Sequence, residues 1–233
     1  MTYVLPSASL VDSLSSSLRR KIIAGEIEPE FRLTEAWVSE RFEVARPTAK
    51  ASLDRLISEG LLRRGPRRSS MVPRLSADDV SDIYFSRGPV ESIAVSSLAA
   101  TSTVPPQAER ALDLMKMAAE RSAHNDHTEA DVDFHRSLVA AAASPRLQRM
   151  HQTVMGEAQL CIAQVRMNRF VDLQELTARH SAILDAIRVG DSDAAVRALM
   201  ADLEGCRDTL LADVDRRRSA KPHDADNVLS TLS

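Results

Sequence analysis

Aromatic residues make up only 3% of the 233 residues, glycine occurs 7 times, and alternating β-branched runs are rare. A chain so poor in sheet-forming patterns, yet rich in Ala and Leu, favours helices. The two cysteines, Cys161 and Cys206, fall inside helical patterns without metal or redox spacing. They read as free thiols of a reducing compartment and exclude a disulfide framework. No apolar run approaches the eighteen residues or so of a membrane span, so no membrane partner is expected. The opening MTYVLPSASL lacks the basic start and apolar stretch of a signal peptide, and a cytoplasmic protein is predicted.

What is present is ordinary in amount and uneven in placement. The hydrophobic share of 44% and charged share of 27% suit a globular protein, and the length suits one large domain or two modest ones. Residues 1–75 carry 13 Lys+Arg against 9 Asp+Glu, a balance of +4, whereas the remainder carries 17 against 24, a balance of −7. A basic front on an acidic back suggests two domains, the first meeting a polyanion.

Leu10, Val11, Leu14, Leu18 and Ile22 repeat at helical spacing and stop at Gly25, a good residue for ending a helix. Thr34 can cap a second short helix whose inward face is Trp37, Val38 and Phe42. A third begins near Pro47, where a proline in the first turn costs no hydrogen bond, and Gly60 closes it. Then LLRRGPRRSSMVPRL places two short extended runs, Leu61–Arg64 and Ser70–Val72, around an arginine-rich Gly-Pro turn. Three helices and a basic hairpin make a winged helix-turn-helix. From Ser76 onward only helices are expected, over 76–100, 106–123, 126–143, 146–168, 171–189 and 192–214. The predicted fold is therefore mainly α: a winged helix-turn-helix domain over 1–75, an all-helical bundle over 76–214 and a frayed tail over 215–233.

Arg46 and Lys50 lie i, i+4 on one face of the third helix with Thr48 nearby, while Leu53, Leu56 and Ile57 turn the other way. Long cations at the tip of an anchored helix are the equipment of a recognition helix, because Arg pairs bidentately with guanine and Lys reaches a base or phosphate. The hairpin arginines Arg63, Arg64, Arg67 and Arg68 are placed to follow the DNA backbone or minor groove. At this point the stretch LRRKIIAGEIEPEFRLTEAWVSERFEVARPTAKASLDRLISEGLL resembles the N-terminal module of GntR-family bacterial transcription regulators. Gly25, Pro29, Leu33, Thr34, Glu35, Val44, Arg46, Leu53, Leu56, Glu59, Gly60 and Leu61 carry the resemblance. It implies Arg46 and Lys50 as DNA contacts, with Lys50 standing where the family usually has Arg. Ala45 replaces the usual Ser, Glu30 the usual turn Gly, and Ser69 the Gly near the wing tip.

In DVDFH, Asp131 and His135 are i, i+4 on a helix and can ligate one divalent cation. Taken alone, such a pair more often marks a histidine hydrogen-bonded to a helical neighbour. The stretches DIYFSRGPVESIAVSSLAA, DVDFHRSLVAAAASPRL and RHSAILDAIRVGDSDAAVRALMADL resemble the all-helical effector domain called FCD. That resemblance implies a metal held by Asp131, His135 and His180, with Asp202 where the family usually has a fourth ligand, His. Zn is the expected ion, with Ni or Mn as alternatives. A site of two Asp and two His is neutral with a divalent ion and relatively favours harder cations. Alternatively Asp202 stays outside and water takes that place. Arg87 would face the cavity and meet a carboxylate effector, since its fork matches a carboxylate bidentately. The alternative for Arg87 is a surface residue paired with Glu91. Arg166 and Arg169 are further cavity candidates, whereas His124, His127 and His151 are expected at the surface or in loops.

These expectations converge on a ligand-responsive bacterial transcription regulator that binds a double-stranded operator as a homodimer. A repressor released by a small organic acid is the expected form. The alternative is a metal-dependent helical-bundle enzyme with an accessory DNA-binding head. Di-iron bundles need paired E-x-x-H motifs on two helices, which this sequence lacks.

Overall fold

The computed structural model describes residues 10–66, 69–165 and 172–220. The expected wing contacts Arg67 and Arg68 and the cavity candidates Arg166 and Arg169 lie outside the described residues. Helix α1 (Leu10–Ile23) is followed by strand β1 (Arg32–Thr34), α2 (Glu35–Arg41), α3 (Arg46–Ser58), β2 (Arg63–Arg64) and β3 (Ser69–Met71). Six further helices follow: α4 (Ala77–Ala100), α5 (Pro106–Glu120), α6 (His124–Ala141), α7 (Pro145–Val165), α8 (Leu173–Val189) and α9 (Ser192–Ala220).

Local chemistry sets most of these boundaries. The Thr34 hydroxyl accepts from the Trp37 amide at 3.1 Å and starts α2. Ala45 precedes α3 with no side-chain cap, and Pro47 sits in its first turn. Gly60 takes φ +76° where α3 ends, a conformation that side chains resist. Glu30, in the place of the usual turn glycine, adopts φ +70°, so the turn keeps its shape at some steric cost.

The wing is a three-stranded antiparallel sheet in the order β1-β3-β2, with Leu33 opposite Ser70 and Arg64 opposite Ser70 from the other side. The hairpin was expected; β1 was not, because three residues paired across nearly forty positions leave no periodic signal. Leu14, Leu18, Leu33, Val38, Leu53 and Leu56 form the core of this head. A separate core built on Val95, Met115, Phe134, Leu138, Ile183 and Leu199 fills the bundle. Leu160 of α7 belongs to the head's core, so α7 serves both.

Helix α4 opens with a reciprocal cap, in which Ser76 Oγ accepts from the Asp79 amide while the Asp79 carboxylate accepts from Ser76. It stays one helix through Pro89. The carbonyl that Pro89 cannot bond belongs to Phe85, an exposed residue that water can serve. Helix α9 runs to Ala220, past the expected end at 214.

The cap gives a test with a definite sign. Burial works against ionised Asp79, but the Ser76 bonds and Arg63 hold its carboxyl below the ordinary value. The stabilisation is thus complete above the unfolded carboxyl value near 3.8 and is lost as pH falls through the lower folded value. Ser76→Ala should cost about 1 kcal/mol at neutral pH. Denaturant midpoints of Asp79→Asn and the parent should differ at pH 7 and converge at strongly acidic pH.

Candidate metal centre and DNA-reading face

Helix α6 carries His127, Asp131 and His135 at successive i+4 steps, so one face of one helix presents two imidazoles and a carboxylate. Asp131 and His135 meet His180 of α8 in the bundle interior, with ligating atoms all within 4.8 Å of one another. His180 Nε2 is 2.9 Å from Asp131 Oδ1, and the His135 and His180 Nε2 atoms are 3.3 Å apart. Asp202 of α9 stands beside this cluster, its Oδ2 3.5 Å from His135 Nε2. Asp133, on the other side of α6, is exposed.

The arrangement fits a small divalent cation. A tetrahedral ion about 2.0–2.1 Å from each donor requires donors separated by about 3.4 Å. His180 Nδ1 donates to the Leu176 carbonyl at 2.8 Å, and His135 Nδ1 donates to Glu91 Oε2 at 2.6 Å. Both rings therefore turn Nε2 toward the common point, an orientation typical of metal-bound histidines. The clearest sign is Asp202: its side chain is 1% exposed, and neither carboxylate oxygen has a hydrogen-bond partner. A buried carboxylate so placed needs a positive counterpart.

Glu91 gathers the second layer. One oxygen takes the His135 bond, and the other accepts from Arg87 Nε at 2.7 Å and from His151 Nε2 at 3.2 Å. Burial would raise the Glu91 carboxyl, but Arg87 and His135 outweigh it and hold it well below the usual range. Burial would lower His135, yet Glu91 overrides it and pushes the imidazole up to about 10. Burial also opposes ionised Asp131, whose carboxyl His180 and His135 hold low.

Arg87 does pair with Glu91, but it is 2% exposed, which corrects its alternative placement at the surface. Its Nη2 and the Tyr84 hydroxyl are buried without partners, and the guanidinium carbon lies 5.1 Å from the Tyr84 ring centre. His127 and His151 are each 2% exposed, not surface residues: His127 bonds Thr177 Oγ1 at 3.1 Å and His151 bonds Glu91. Tertiary packing over α6 and α7 buries them, while His124 stays at the start of α6. The signal for His151 was present, because it lies four residues from buried Leu147 and four from buried Met155. Glu91 and Tyr84 were within reach as the i+4 and i−3 neighbours of Arg87.

On the head, Arg46 is exposed at the first position of α3 and Thr48 is half-buried beside it. Lys50 pairs with Asp54 at 2.7 Å, and Arg64 reaches the same Asp54 at 3.1 Å. Arg63 turns away from that face, toward Asp79 of α4 at 3.2 Å and Glu157 of α7 at 3.8 Å. No helix among the described residues is long and apolar enough to cross a membrane.

A winged head with an exposed basic helix tip, joined to a bundle with a buried polar centre, defines a DNA-binding regulator carrying its own ligand domain. Residues 10–72 match the bacterial regulatory proteins of the gntR family, and residues 82–205 match the FCD domain. The chain belongs to this family: it is a gntR-family transcription regulator with an FCD domain, and not an enzyme. It is 28% identical over 209 residues to the HTH-type transcriptional repressor RspR of Escherichia coli, covering 87% of this chain and 90% of that protein. The gluconate operon transcriptional repressor of Bacillus subtilis is 23% identical over 210 residues, with 88% and 86% covered. A solved GntR regulator from Rhodococcus sp. RHA1 superposes with TM-score 0.74 at 26% identity, covering 88% of this chain and 99% of that one.

The buried charges give a stability test. Glu91→Ala leaves the Arg87 guanidinium buried without its counter-charge and should cost about 3–5 kcal/mol. Glu91→Gln keeps an acceptor and the volume and should cost less. Chemical denaturation of the two variants beside the parent measures both.

Proposed function

We propose that this regulator is a repressor that binds a pseudo-palindromic operator as a homodimer and is released by a small carboxylate effector. In this reading Arg46, Thr48 and Lys50 enter the major groove from the tip of α3, and the wing arginines Arg67 and Arg68 follow the neighbouring backbone. Arg46 has an exposed guanidinium free to reach a base, whereas Lys50 must exchange Asp54 for DNA. The uncapped first turn of α3 leaves amides for a phosphate. Two copies suit a two-fold operator. Phe85 and Ile93, exposed and eight residues apart on α4, support pairing through an apolar strip. A cytoplasmic location follows from such a target.

Asp131, His135, His180 and Asp202 would hold the divalent metal, with Zn favoured and Ni or Mn as alternatives. When bound, the ion supplies a positive centre that attracts a carboxylate oxygen. Arg87 offers the same anion its unpartnered Nη2, and the Tyr84 hydroxyl can bond a second oxygen. Arg166 is assigned to the same effector site. The observation that carries this reading is the pair of orphaned Asp202 oxygens beside three ligand-type side chains.

A duplex selected by the full chain from a random pool provides the operator probe. Arg46→Ala should weaken binding to it by about tenfold or more and lower the slope of log affinity against log salt by about one. Salt-insensitive binding would contradict the proposed contacts. His135→Ala should lose stoichiometric metal by elemental analysis, and an unchanged content would reject the ligand set.

A further inference from the structure

Helix α7 lies between the buried cluster and the DNA-binding head, and it touches both with residues less than two turns apart. On one side His151 donates to the Glu91 carboxylate that also holds His135 and Arg87. On the other side Thr153, Gly156 and Glu157 meet the end of α3. Five helical residues rotate by about 140° and advance about 7.5 Å, so His151 and Gly156 look out from nearly opposite flanks of one rod.

The contact with α3 is made by backbone. The Thr153 hydroxyl donates to the Ser58 carbonyl at 2.9 Å. A Cβ on Gly156 would overlap the Glu59 carbonyl oxygen, and a Cβ on Gly60 would sit 2.7 Å from the Thr153 carbonyl. At Gly156 the two main chains thus meet directly, flanked by the Thr153 hydroxyl and the Glu157 side chain, so a shift of one is felt by the other. Glu59 itself is clamped by Arg19 of α1 and Arg55 of α3, which ties that junction to the head's core. Further along α7, Gln164 bonds the Pro73 carbonyl at 2.6 Å and accepts from the Leu75 amide at 3.1 Å. Leu160 packs into the head.

We propose that α7 carries the state of the metal and effector cluster to the recognition helix, with His151 as the input contact and the Thr153–Gly156 seam as the output. The proposal rests on the function assigned above. A change in how Glu91 is shared among His135, Arg87 and His151 displaces α7, and the seam passes the displacement to Ser58–Gly60. Helix α3 is a rigid rod about 18 Å long, so a tilt imposed at its C-terminal end relocates Arg46 at the other. Packed elements of this kind move between discrete arrangements, which is how small shifts at a site become useful at a distance.

Zinc alone serves as the probe. The affinity of the full chain for its selected duplex is measured zinc-loaded and zinc-stripped, and the affinity for zinc is measured with and without duplex. In the parent the two ratios should be equal, as linkage requires, and should fall within about 5–150-fold. His151→Leu, which alters neither an assigned ligand nor the DNA face, should keep both binding reactions while its ratio falls toward one. Thr153→Val, which removes only the seam hydroxyl, should shrink the ratio likewise, as should Gly156→Ala if it folds. A parent ratio of one overturns this route, whereas failure of the full chain to select any duplex, or to hold stoichiometric zinc, sinks the assigned function instead. A parent that responds, with both His151→Leu and Thr153→Val retaining the full ratio, overturns the route through α7 and leaves the assigned function standing.

Discussion

One carboxylate organises the interior. Glu91 is completely enclosed and can remain ionised only because Arg87, His135 and His151 converge on it from α4, α6 and α7. Each partner is thereby fixed in direction. His135 must point Nε2 inward, Arg87 keeps one nitrogen unspent, and α7 is pinned at His151. Substituting three apolar side chains of similar volume would pack as well, yet would orient nothing.

The same layering explains why Asp202 matters more than its position suggests. The inner residues Asp131, His135 and His180 satisfy one another partly, at separations from 2.9 to 3.9 Å. Asp202 is left with two buried oxygens that lack a hydrogen bond, one 3.5 Å from His135 Nε2 and the other 3.8 Å from His180 Nδ1. Where the family usually has an imidazole, this chain has placed a second negative charge. Under the proposed function, that difference would make an occupied centre less attractive to an anion and would leave more of the effector's recognition to Arg87 and Tyr84.

Much of this was readable from residues alone, and the boundary is physical. Helix starts were legible where the reason was local, as at Thr34, Pro47 and the breaks before α5, α7 and α9. The i+4 spacing of Asp131 and His135 was legible for the same reason. His180 and Asp202 lie far along the chain, and only the likeness to the FCD domain placed them beside the first two. Strand β1 escaped because its pairing with β3 is non-local and only three residues long. His127 and His151 were misplaced at the surface because a histidine's burial depends on what packs over it. Their spacing from Asp131 and from Leu147 and Met155 nevertheless held the hint.

The seam between Gly156 and Glu59 also limits how such proteins diversify. A junction in which Gly156 lies against the Glu59 carbonyl has no room for a larger residue there, so head and bundle cannot be recombined freely with those of relatives. A chimera inherits a working joint only if the donor bundle has an equally bare spot on its fourth helix, facing a left-handed turn at the end of the borrowed reading helix. New operators and new effectors can therefore evolve on either side, while the hinge between them stays under a purely steric rule.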